Sequence, residues 1–257
     1  MSSNNFLEGI IRNKRQDDTE YDESTNNREE LIKTQQNGEK NISRHIRSVV
    51  MNSKKGLSVD SEIINYNLYN RFNYSLFLSD RTKNLRLSLG VTSANRGEGK
   101  TTAACNLAAA LSLGSLRRTL IIDLNVNDPA VHKVFGTPGG PGLSEALMGE
   151  EVFVTPTQIE NLAVLSAGNI RMIPESKLAN FNEVLLSLMN TFEFLVVDMP
   201  SLSSRNFPTL IANQLNGLVV VLEARRTKRR DIERLFRHVN ERNVCGFVLN
   251  KVNENDF

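Results

Sequence analysis

A glycine-rich stretch near the middle of the chain, residues 94–102, limits the possible folds more than any other feature. It reads Ala-Asn-Arg-Gly-Glu-Gly-Lys-Thr-Thr, follows an apolar run of β character and precedes an Ala- and Leu-rich run of helical character. Gly97 and Gly99 allow the backbone to curl so that successive N–H groups point at one anion. The positive end of the following helix faces the same anion. Strand, glycine loop, Gly-Lys-Thr and helix in this order predict a phosphate-binding P-loop.

The side chains of this loop have distinct predicted roles. Lys100 can reach the β- and γ-phosphate oxygens of a nucleotide as a point charge, and Thr101 can offer its hydroxyl to Mg²⁺. The predicted nucleotide contacts of the loop are Arg96, Gly97, Glu98, Gly99, Lys100, Thr101 and Thr102. The alternative is a glycine turn before an ordinary helix, and the coincidence of strand, loop and helix argues against it.

Two apolar runs downstream of the loop each end in an aspartate. Residues 120–122 lead into Asp123, and residues 194–197 lead into Asp198. Open α/β sheets place their chemistry at the carboxyl ends of strands. In P-loop proteins, one such buried strand delivers a carboxylate to the metal. Strands also end in Asp at ordinary turns, but the position downstream of a P-loop favours the functional interpretation of Asp198.

Strands alternate with helices through the rest of the chain, with helical periodicity over residues 174–190. This alternation predicts an α/β fold with a mainly parallel sheet and helices on both faces. The last strand leads into Asn250, a position suited to hydrogen bonding with a purine base. The densest basic run, residues 225–230, precedes the last helix. A solvated loop with the first turn of a helix explains that run as well as an anion or partner contact does.

The N-terminal part differs from the rest in composition. Residues 12–40 are charged and carry only three large apolar side chains, Tyr21, Leu31 and Ile32. Burying them returns at most about 10 kcal/mol, whereas ordering the backbone of this stretch costs on the order of 30 kcal/mol or more. We therefore predict two regions, a disordered polar arm over residues 1–60 and a nucleotide-binding domain over residues 61–257. Apolar residues at helical spacing over residues 61–80 predict a helix beside the first strand.

Composition also narrows the expected location and partners. The formal net charge of +2 argues against nucleic acid as the main partner. Cys105 and Cys245 both fall in apolar runs, which predicts buried thiols in a reducing cytosol. No apolar run approaches the length of a membrane span, and the N-terminus lacks the apolar core of a signal peptide. We expect a cytoplasmic protein that lies at a membrane only through a partner.

The order and spacing of the motifs resemble the bacterial tyrosine autokinases of capsule and exopolysaccharide synthesis. The resemblance covers about residues 60–252. Beyond the P-loop stretch 91–102, it rests on residues 120–123, 129, 132–136, 142–145, 161–168, 198, 226–230 and 246–252. The wider relatives are the deviant-Walker ATPases that position division septa and plasmids. Those typically carry Lys where this chain has Asn95, which favours the kinase branch.

The resemblance implies ATP and Mg²⁺ as ligands, tyrosine phosphorylation as the activity, and a membrane-integral chain-length-determinant (polysaccharide co-polymerase) protein as activator. By the family pattern, Lys100 and Thr101 hold phosphate and metal, while Asp123 and Asp198 serve the metal and the nucleophile. Lys100, Asp123 and Asp198 are thus the predicted catalytic residues, and Thr101, Asp123 and Asp198 are the predicted metal ligands. The resemblance also implies a place at the inner face of the membrane through the partner, and it leaves a homo-oligomer open.

The chain departs from the family pattern at several positions. The strand after the P-loop usually ends Asp-x-Asp, but Asn125 stands in place of the second Asp, and Val126-Asn127 replaces the Arg that commonly follows. The Glu-x-x-Arg-x-x-Arg element of ring assembly is not recognisable after Glu62, and residues 253–257 carry no tyrosine-rich tail. An amide neither accepts a proton nor brings charge to Mg²⁺, which predicts slow phosphate transfer with binding intact. Asp128, three residues further on, could take the vacant place.

Three functions remain open on the sequence alone. The first is an autokinase-like enzyme, with full or weakened catalysis, that regulates exopolysaccharide or capsule synthesis or export. The second is a non-enzymatic, nucleotide-gated partner of a membrane polysaccharide export protein. The third is a positioning ATPase like MinD or ParA. Self-phosphorylation would use the segment ahead of the P-loop, because all four tyrosines lie there: Tyr21, Tyr66, Tyr69 and Tyr74.

Overall fold

The computed structural model describes residues 46–48, 86–170, 172–204 and 207–252. The helix predicted over residues 61–80 lies outside these ranges, as does most of the predicted arm. Ile46–Ser48, the described part of that arm, forms a short strand. The division of the chain at residue 60 stays a prediction.

Strands and helices alternate along the described chain, as the sequence predicts. The strands are β1 (Ile46–Ser48), β2 (Leu87–Ser93), β3 (Thr119–Asp123), β4 (Val152–Pro156), β5 (Leu162–Leu165), β6 (Phe194–Asp198), β7 (Gly217–Glu223) and β8 (Val244–Asn250). The helices are α1 (Lys100–Ser115), α2 (Val131–Phe135), α3 (Leu143–Met148), α4 (Glu175–Leu178), α5 (Phe181–Met189), α6 (Thr209–Gln214) and α7 (Arg229–Leu235). Within the described ranges, no helix has both the length and the apolar character that a membrane span needs.

The strands form one sheet in the order β1-β4-β5-β3-β6-β2-β7-β8. Neighbouring strands run parallel throughout this order, except that β4 and β5 are antiparallel. Parallel neighbours need long return connections, and helices supply most of them here. The predicted mainly parallel α/β fold is confirmed.

The structure differs from the sequence prediction at three local points. The predicted helix over residues 174–190 is two helices, α4 and α5, separated at Ala179–Asn180. The strand β4 was not predicted, because it is short, exposes alternate residues and ends in Pro156. The prediction that Cys245 is buried is wrong, since it lies exposed on β8 at the edge of the sheet, whereas Cys105 is buried as predicted.

The helix α1 packs across the centre of the sheet, where it contacts β2, β3 and β6. Every residue from Ala103 to Ser112 is buried. Ala104 and Ala108 share one apolar core with Leu89 and Val196. Small side chains let the helix backbone approach the strands closely. Its first residue, Lys100, is thereby fixed at the end of β2.

On strand β2, Gly90 is a position where the core leaves no room for a side chain. A Cβ atom there would lie 2.6 Å from a Leu218 methyl carbon and 2.7 Å from both a Leu215 methyl carbon and the Met199 sulfur. All three neighbours are buried. Such side chains cannot move into solvent, so the glycine is a packing requirement.

We predict that Gly90→Ala lowers the free energy of unfolding by about 1–3 kcal/mol, because the added methyl group overpacks the core. Gly139→Ala is the matched control, since the nearest atom to its Cβ would be a ring carbon of His132 at 3.5 Å, an ordinary contact. Urea denaturation of both variants measures the difference. Equal losses in the two variants would contradict the packing argument.

Candidate nucleotide-binding site

The ends of three neighbouring strands meet at one edge of the sheet. The strand register pairs Asp123 of β3 with Asp198 of β6. It also pairs Asp198 with Val91 of β2, two residues before that strand ends at Ser93. The two predicted carboxylates therefore lie side by side next to the glycine loop.

The loop has the conformation that a phosphate cradle needs. Gly97 has φ 84° and Gly99 has φ 92°, both in the left-handed region that favours glycine. The Gly99 carbonyl accepts the Ala103 N–H at 2.9 Å, and the helix α1 starts at Lys100. The first N–H groups of a helix have no partner within the helix and point towards its N-terminal side. Such a group of N–H donors at the loop is the arrangement that anion binding needs, and the nucleotide contacts of the loop stay a prediction.

Asp198 and Thr101 form the polar centre of the site. The Thr101 hydroxyl donates to Asp198 Oδ2 at 2.7 Å. Asp198 is buried, and its Oδ1 has no hydrogen-bond partner among the described residues. Lys100 Nζ lies 3.5 Å from Thr101 Oγ1. A buried carboxylate oxygen without a donor, beside a hydroxyl and an ammonium group, fits a hydrated Mg²⁺ and the phosphates that it accompanies.

The surroundings of Asp198 change its acidity. Burial raises the pKa of Asp198 to about 7, against the lowering effects of Lys100 and the Thr101 hydroxyl, while the charge of Asp123 adds to the rise. In the protein without ligand, Asp198 therefore keeps its proton to a higher pH than an exposed aspartate does. A bound cation would favour the ionised carboxylate.

Asp123 is engaged by backbone groups. Its Oδ1 accepts the Asn125 N–H at 3.0 Å, and its Oδ2 accepts the N–H groups of Ala130 and Val131 at 3.0 and 3.1 Å. Asp123 thereby shapes the loop after β3 and caps the start of α2. Sequence reasoning missed this supporting role, and the predicted catalytic and metal-binding role of Asp123 stays a prediction.

Glu98 lies inside the protein. Its carboxylate accepts hydrogen bonds from Asn95 N and Nδ2 at 2.9 and 3.1 Å, and from Thr227 Oγ1 at 2.6 Å. Because these donors occupy the Glu98 carboxylate, the predicted nucleotide contact of Glu98 would come from its backbone N–H. Sequence reasoning missed Thr227, since nothing local marks a residue so far along the chain as a partner of the P-loop.

Two residues at the end of β8 brace the same loop. Asn250 Nδ2 donates to the Glu98 carbonyl at 3.0 Å, and Lys251 Nζ donates to the Gly97 carbonyl at 2.9 Å. A side chain at position 99 would overlap the Asn250 amide. Asn250 thus lies beside the P-loop. Its contact with a purine base stays a prediction.

A cleft of about 290 Å³ opens beside Lys100. Its other lining residues are Arg96, Asn125, Asn127, Asp128, Pro200, Ser201, Ser203 and Ser204. At this cleft, Arg96 forms an ion pair with Asp128 at 2.7 Å, with both side chains largely exposed. The Asn125 amide donates to the Asp128 carbonyl at 2.8 Å. Asp128, rather than Asn125, therefore brings a carboxylate to the cleft.

The serines after β6 also belong to this cleft, and sequence reasoning missed them. The Leu202 and Ser203 N–H groups donate to the carbonyls of Ser93 and Ala94 at 2.9 and 3.1 Å, which fixes their loop against the P-loop. The hydroxyl oxygens of Ser201 and Ser203 lie 3.1 Å apart. Their position directly after the Asp198 strand is the one sequence signal that could have indicated them.

Comparison with known sequences agrees with this geometry. A family model described as the CobQ/CobB/MinD/ParA nucleotide binding domain matches residues 89–257. The tyrosine-protein kinase CpsD of Streptococcus agalactiae serotype III (strain NEM316) is 29% identical over 174 residues, which cover 65% of this chain and 75% of that protein. The succinoglycan biosynthesis transport protein ExoP of Rhizobium meliloti (strain 1021) is 29% identical over 182 residues, 65% of this chain and 22% of that protein.

Solved structures give the same picture. The crystal structure of the VpsO kinase domain superimposes with a TM-score of 0.62 at 25% identity, and the match covers 73% of this chain and 94% of that chain. The crystal structure of the chimerical protein CapA2B2 gives a TM-score of 0.60 at 25% identity, over 72% of this chain and 83% of that chain.

The raised pKa of Asp198 predicts how the stability of the ligand-free protein depends on pH. The folded protein keeps the Asp198 proton up to about pH 7, whereas an unfolded chain loses it near pH 4. The contribution of Asp198 to the free energy of unfolding should therefore decrease as pH rises from about 4 to 7, because the folded state binds the proton more tightly. Asp198→Asn should lack this contribution, whereas Asp123, whose pKa burial also raises, keeps its own.

Urea denaturation in EDTA, without nucleotide, measures the effect. The difference in free energy of unfolding, wild type minus Asp198→Asn, should fall by on the order of 3 kcal/mol between about pH 4 and pH 7. The exposed Asp128→Asn is the control and should leave the decline unchanged. A difference that stays constant with pH would contradict the assignment.

Proposed function

This chain belongs to the CobQ/CobB/MinD/ParA nucleotide-binding domain family, and on that premise we propose that it is a MgATP-binding, tyrosine-autokinase-like protein of exopolysaccharide or capsule synthesis or export. The observation that carries the proposal is the 2.7 Å hydrogen bond between Thr101 and the buried Asp198 at the base of an intact P-loop. That pair, with Lys100, supports binding of a nucleotide triphosphate and its cation. The similarity to CpsD supports the kinase assignment.

Each residue of the site has a proposed task. Bound MgATP would supply the γ-phosphoryl group and a divalent charge. The backbone N–H groups of the loop and the Lys100 ammonium would bind and orient the phosphate oxygens. Thr101 and Asp198 would hold the cation, and Asp123 would support them from the neighbouring strand. Asn250 would contact the base from the end of β8.

A carboxylate that accepts the proton of the acceptor hydroxyl is the remaining requirement of a kinase. Asn125 cannot accept that proton, and its amide is occupied with the Asp128 carbonyl. Asp128 lines the same cleft as Lys100, and its carboxylate is exposed there. We propose that Asp128 orients the acceptor and takes its proton, with Arg96 beside it to neutralise charge.

A second candidate function is a nucleotide-gated partner without kinase activity, and Asn125 is the observation that favours it. A positioning ATPase is less well supported. The Asn95 side chain donates to Glu98 of its own chain, whereas the ATPases that the sequence resembles typically carry Lys at this position.

We also propose a membrane-integral polysaccharide co-polymerase as activator, with this protein at the inner face of the membrane through that partner. ExoP is named a succinoglycan biosynthesis transport protein, which supports a place in polysaccharide synthesis or export. We also propose that the protein forms a homo-oligomer and that nucleic acid is not among its partners.

Nucleotide binding through Lys100 should appear as thermal stabilisation. MgATP or MgADP at a hundredfold its dissociation constant adds about 2.7 kcal/mol to the folded state, which should raise the melting temperature by roughly 5–10 °C for a domain of this size. Lys100→Ala should remove most of the shift, and the exposed Lys133→Ala is the control that should keep it. An unchanged melting curve for the wild type with saturating MgATP and MgADP would rule out the proposed site.

Kinase activity should appear as phosphotyrosine after incubation with MgATP. Mass spectrometry should place it at Tyr21, Tyr66, Tyr69 or Tyr74, the tyrosines of the chain. A chain with these four changed to Phe should show no self-phosphorylation, and activity that persists in it would show that another residue is the acceptor. A positioned general base is typically worth about 10²–10⁴ in rate, so transfer should be slow by about that factor if Asp128 does not replace the carboxylate that Asn125 lacks.

Two substitutions locate the carboxylate that takes the proton. Asn125→Asp should raise the rate of phosphate transfer tenfold or more, equivalent to about 1.4 kcal/mol of barrier, if catalysis is weakened. If Asp128 already serves as the base, Asn125→Asp should add nothing, and Asp128→Asn should abolish transfer. Absence of transfer in the wild type and in Asn125→Asp would leave the nucleotide-gated partner as the function.

A further inference from the structure

The P-loop contains one buried carboxylate, that of Glu98, between its two left-handed glycines. A buried carboxylate needs hydrogen-bond donors, because it has lost its water. Two of the donors belong to Asn95, within the loop itself. The third is the Thr227 hydroxyl, 2.6 Å from Glu98 Oε1, and it comes from a different part of the chain. Thr227 is thus the donor that ties this carboxylate to the rest of the domain.

The Thr227 hydroxyl is itself held in place. Its oxygen accepts the Glu223 N–H at 2.8 Å while it donates to Glu98. The Thr227 N–H donates to the Glu223 carbonyl at 3.0 Å, so a closed turn at the end of β7 carries the side chain. The strand β7 pairs directly with β2, the strand that leads into the P-loop. The hydroxyl is therefore fixed relative to the loop that it supports.

The same turn supports the loop at a second point. The Glu223 carboxylate binds Lys251 Nζ at 3.1 Å, and Lys251 Nζ donates to the Gly97 carbonyl at 2.9 Å. Neighbouring residues of the P-loop, Gly97 and Glu98, are thus both anchored to the end of β7. The Glu98 anchor is the more buried of the two, since the Glu98 side chain is buried and the Lys251 side chain is about half exposed.

Such an anchor bears on phosphate binding. The anion site consists of backbone N–H groups that point to one place only while the loop keeps its curl. Gly97 and Gly99 give the loop the freedom to leave that curl. A contact between the loop and the sheet keeps the loop ordered before a ligand binds. The binding free energy then has to offset less entropy loss from ordering the loop.

We propose that Thr227 is a positioning residue for nucleotide binding, which holds the P-loop in its phosphate-binding conformation through the buried Glu98 carboxylate. The inference rests on the proposed nucleotide binding at Lys100. Thr227 acts through Glu98 and needs no contact with the nucleotide. Thr227 lies within the basic run 225–230. The proposed role therefore gives this run a function other than that of a solvated loop or an anion contact.

The experiment is calorimetric titration of the full chain with MgADP. Thr227→Val keeps the shape of the side chain and removes the donor, and we expect a tenfold or greater rise in the dissociation constant. Thr227→Ser keeps the hydroxyl, and its dissociation constant for MgADP should stay within about threefold of the wild-type value. A tenfold change in that constant corresponds to about 1.4 kcal/mol. Glu98→Gln should weaken binding as well. Combining it with Thr227→Val should cost less than the sum of the two single changes, because both residues belong to one hydrogen-bonded cluster.

Thr157→Val is the matched control. Like that of Thr227, the Thr157 hydroxyl accepts a backbone N–H, that of Ile159 at 3.0 Å, but it donates to a backbone carbonyl, that of Leu162 at 3.1 Å, and not to a carboxylate. It lies between β4 and β5, three strands away from β2. Thr157→Val should lower the melting temperature and leave the MgADP affinity unchanged.

The outcomes separate this inference from the proposed function. A wild-type protein that binds MgADP, with Thr227→Val binding equally well, overturns the positioning role and leaves the nucleotide site intact. A wild-type protein that does not bind MgADP overturns both. If Thr227→Val folds poorly, Thr227→Ala compared with Thr227→Ser gives the test, and equal MgADP affinities in those two variants overturn the inference.

Discussion

Parallel strand pairing is the constraint on which the rest of this structure depends. Because β3, β6 and β2 run in one direction, their last residues reach the same edge of the sheet. That register places Asp123 beside Asp198 and places both next to the loop that follows β2. The burial of α1 over the same strands then aims its N-terminus at this edge. Charge, hydroxyl and backbone N–H groups meet there as a consequence of packing.

The sequence predicts this centre well, because each of its parts is encoded locally. The loop glycines, Lys100 and Thr101 lie within one short motif, and apolar runs mark the strands that end at Asp123 and Asp198. The parallel fold follows from the alternation of strands and helices. Local signals fail where an element is short or marginal. The strand β4 alternates exposed and buried residues and ends in proline, and exposure of Cys245 follows from the place of β8 at the edge of the sheet.

The sequence could not predict the contacts that support the centre. Glu98 and Thr227 are 129 residues apart, and Arg96 and Asp128 belong to different loops. Such pairs depend on strand order, which places β7 next to β2, and no local pattern encodes that order. Asp123 illustrates a further limit. Its residue type and position predict a catalytic carboxylate, while its three backbone hydrogen bonds show that it also shapes the loop after β3.

The exposed run 225–230 surrounds Thr227, whose hydroxyl reaches the P-loop from outside. Any molecule that binds those arginines and displaces Thr227 would also change the affinity of the P-loop for nucleotide. Thermodynamic linkage makes the effect mutual, so occupancy of the P-loop would change the strength with which that molecule is held. The affinity of this basic surface for such a molecule would then depend on whether nucleotide is bound, and the Thr227 hydroxyl would couple the two sites.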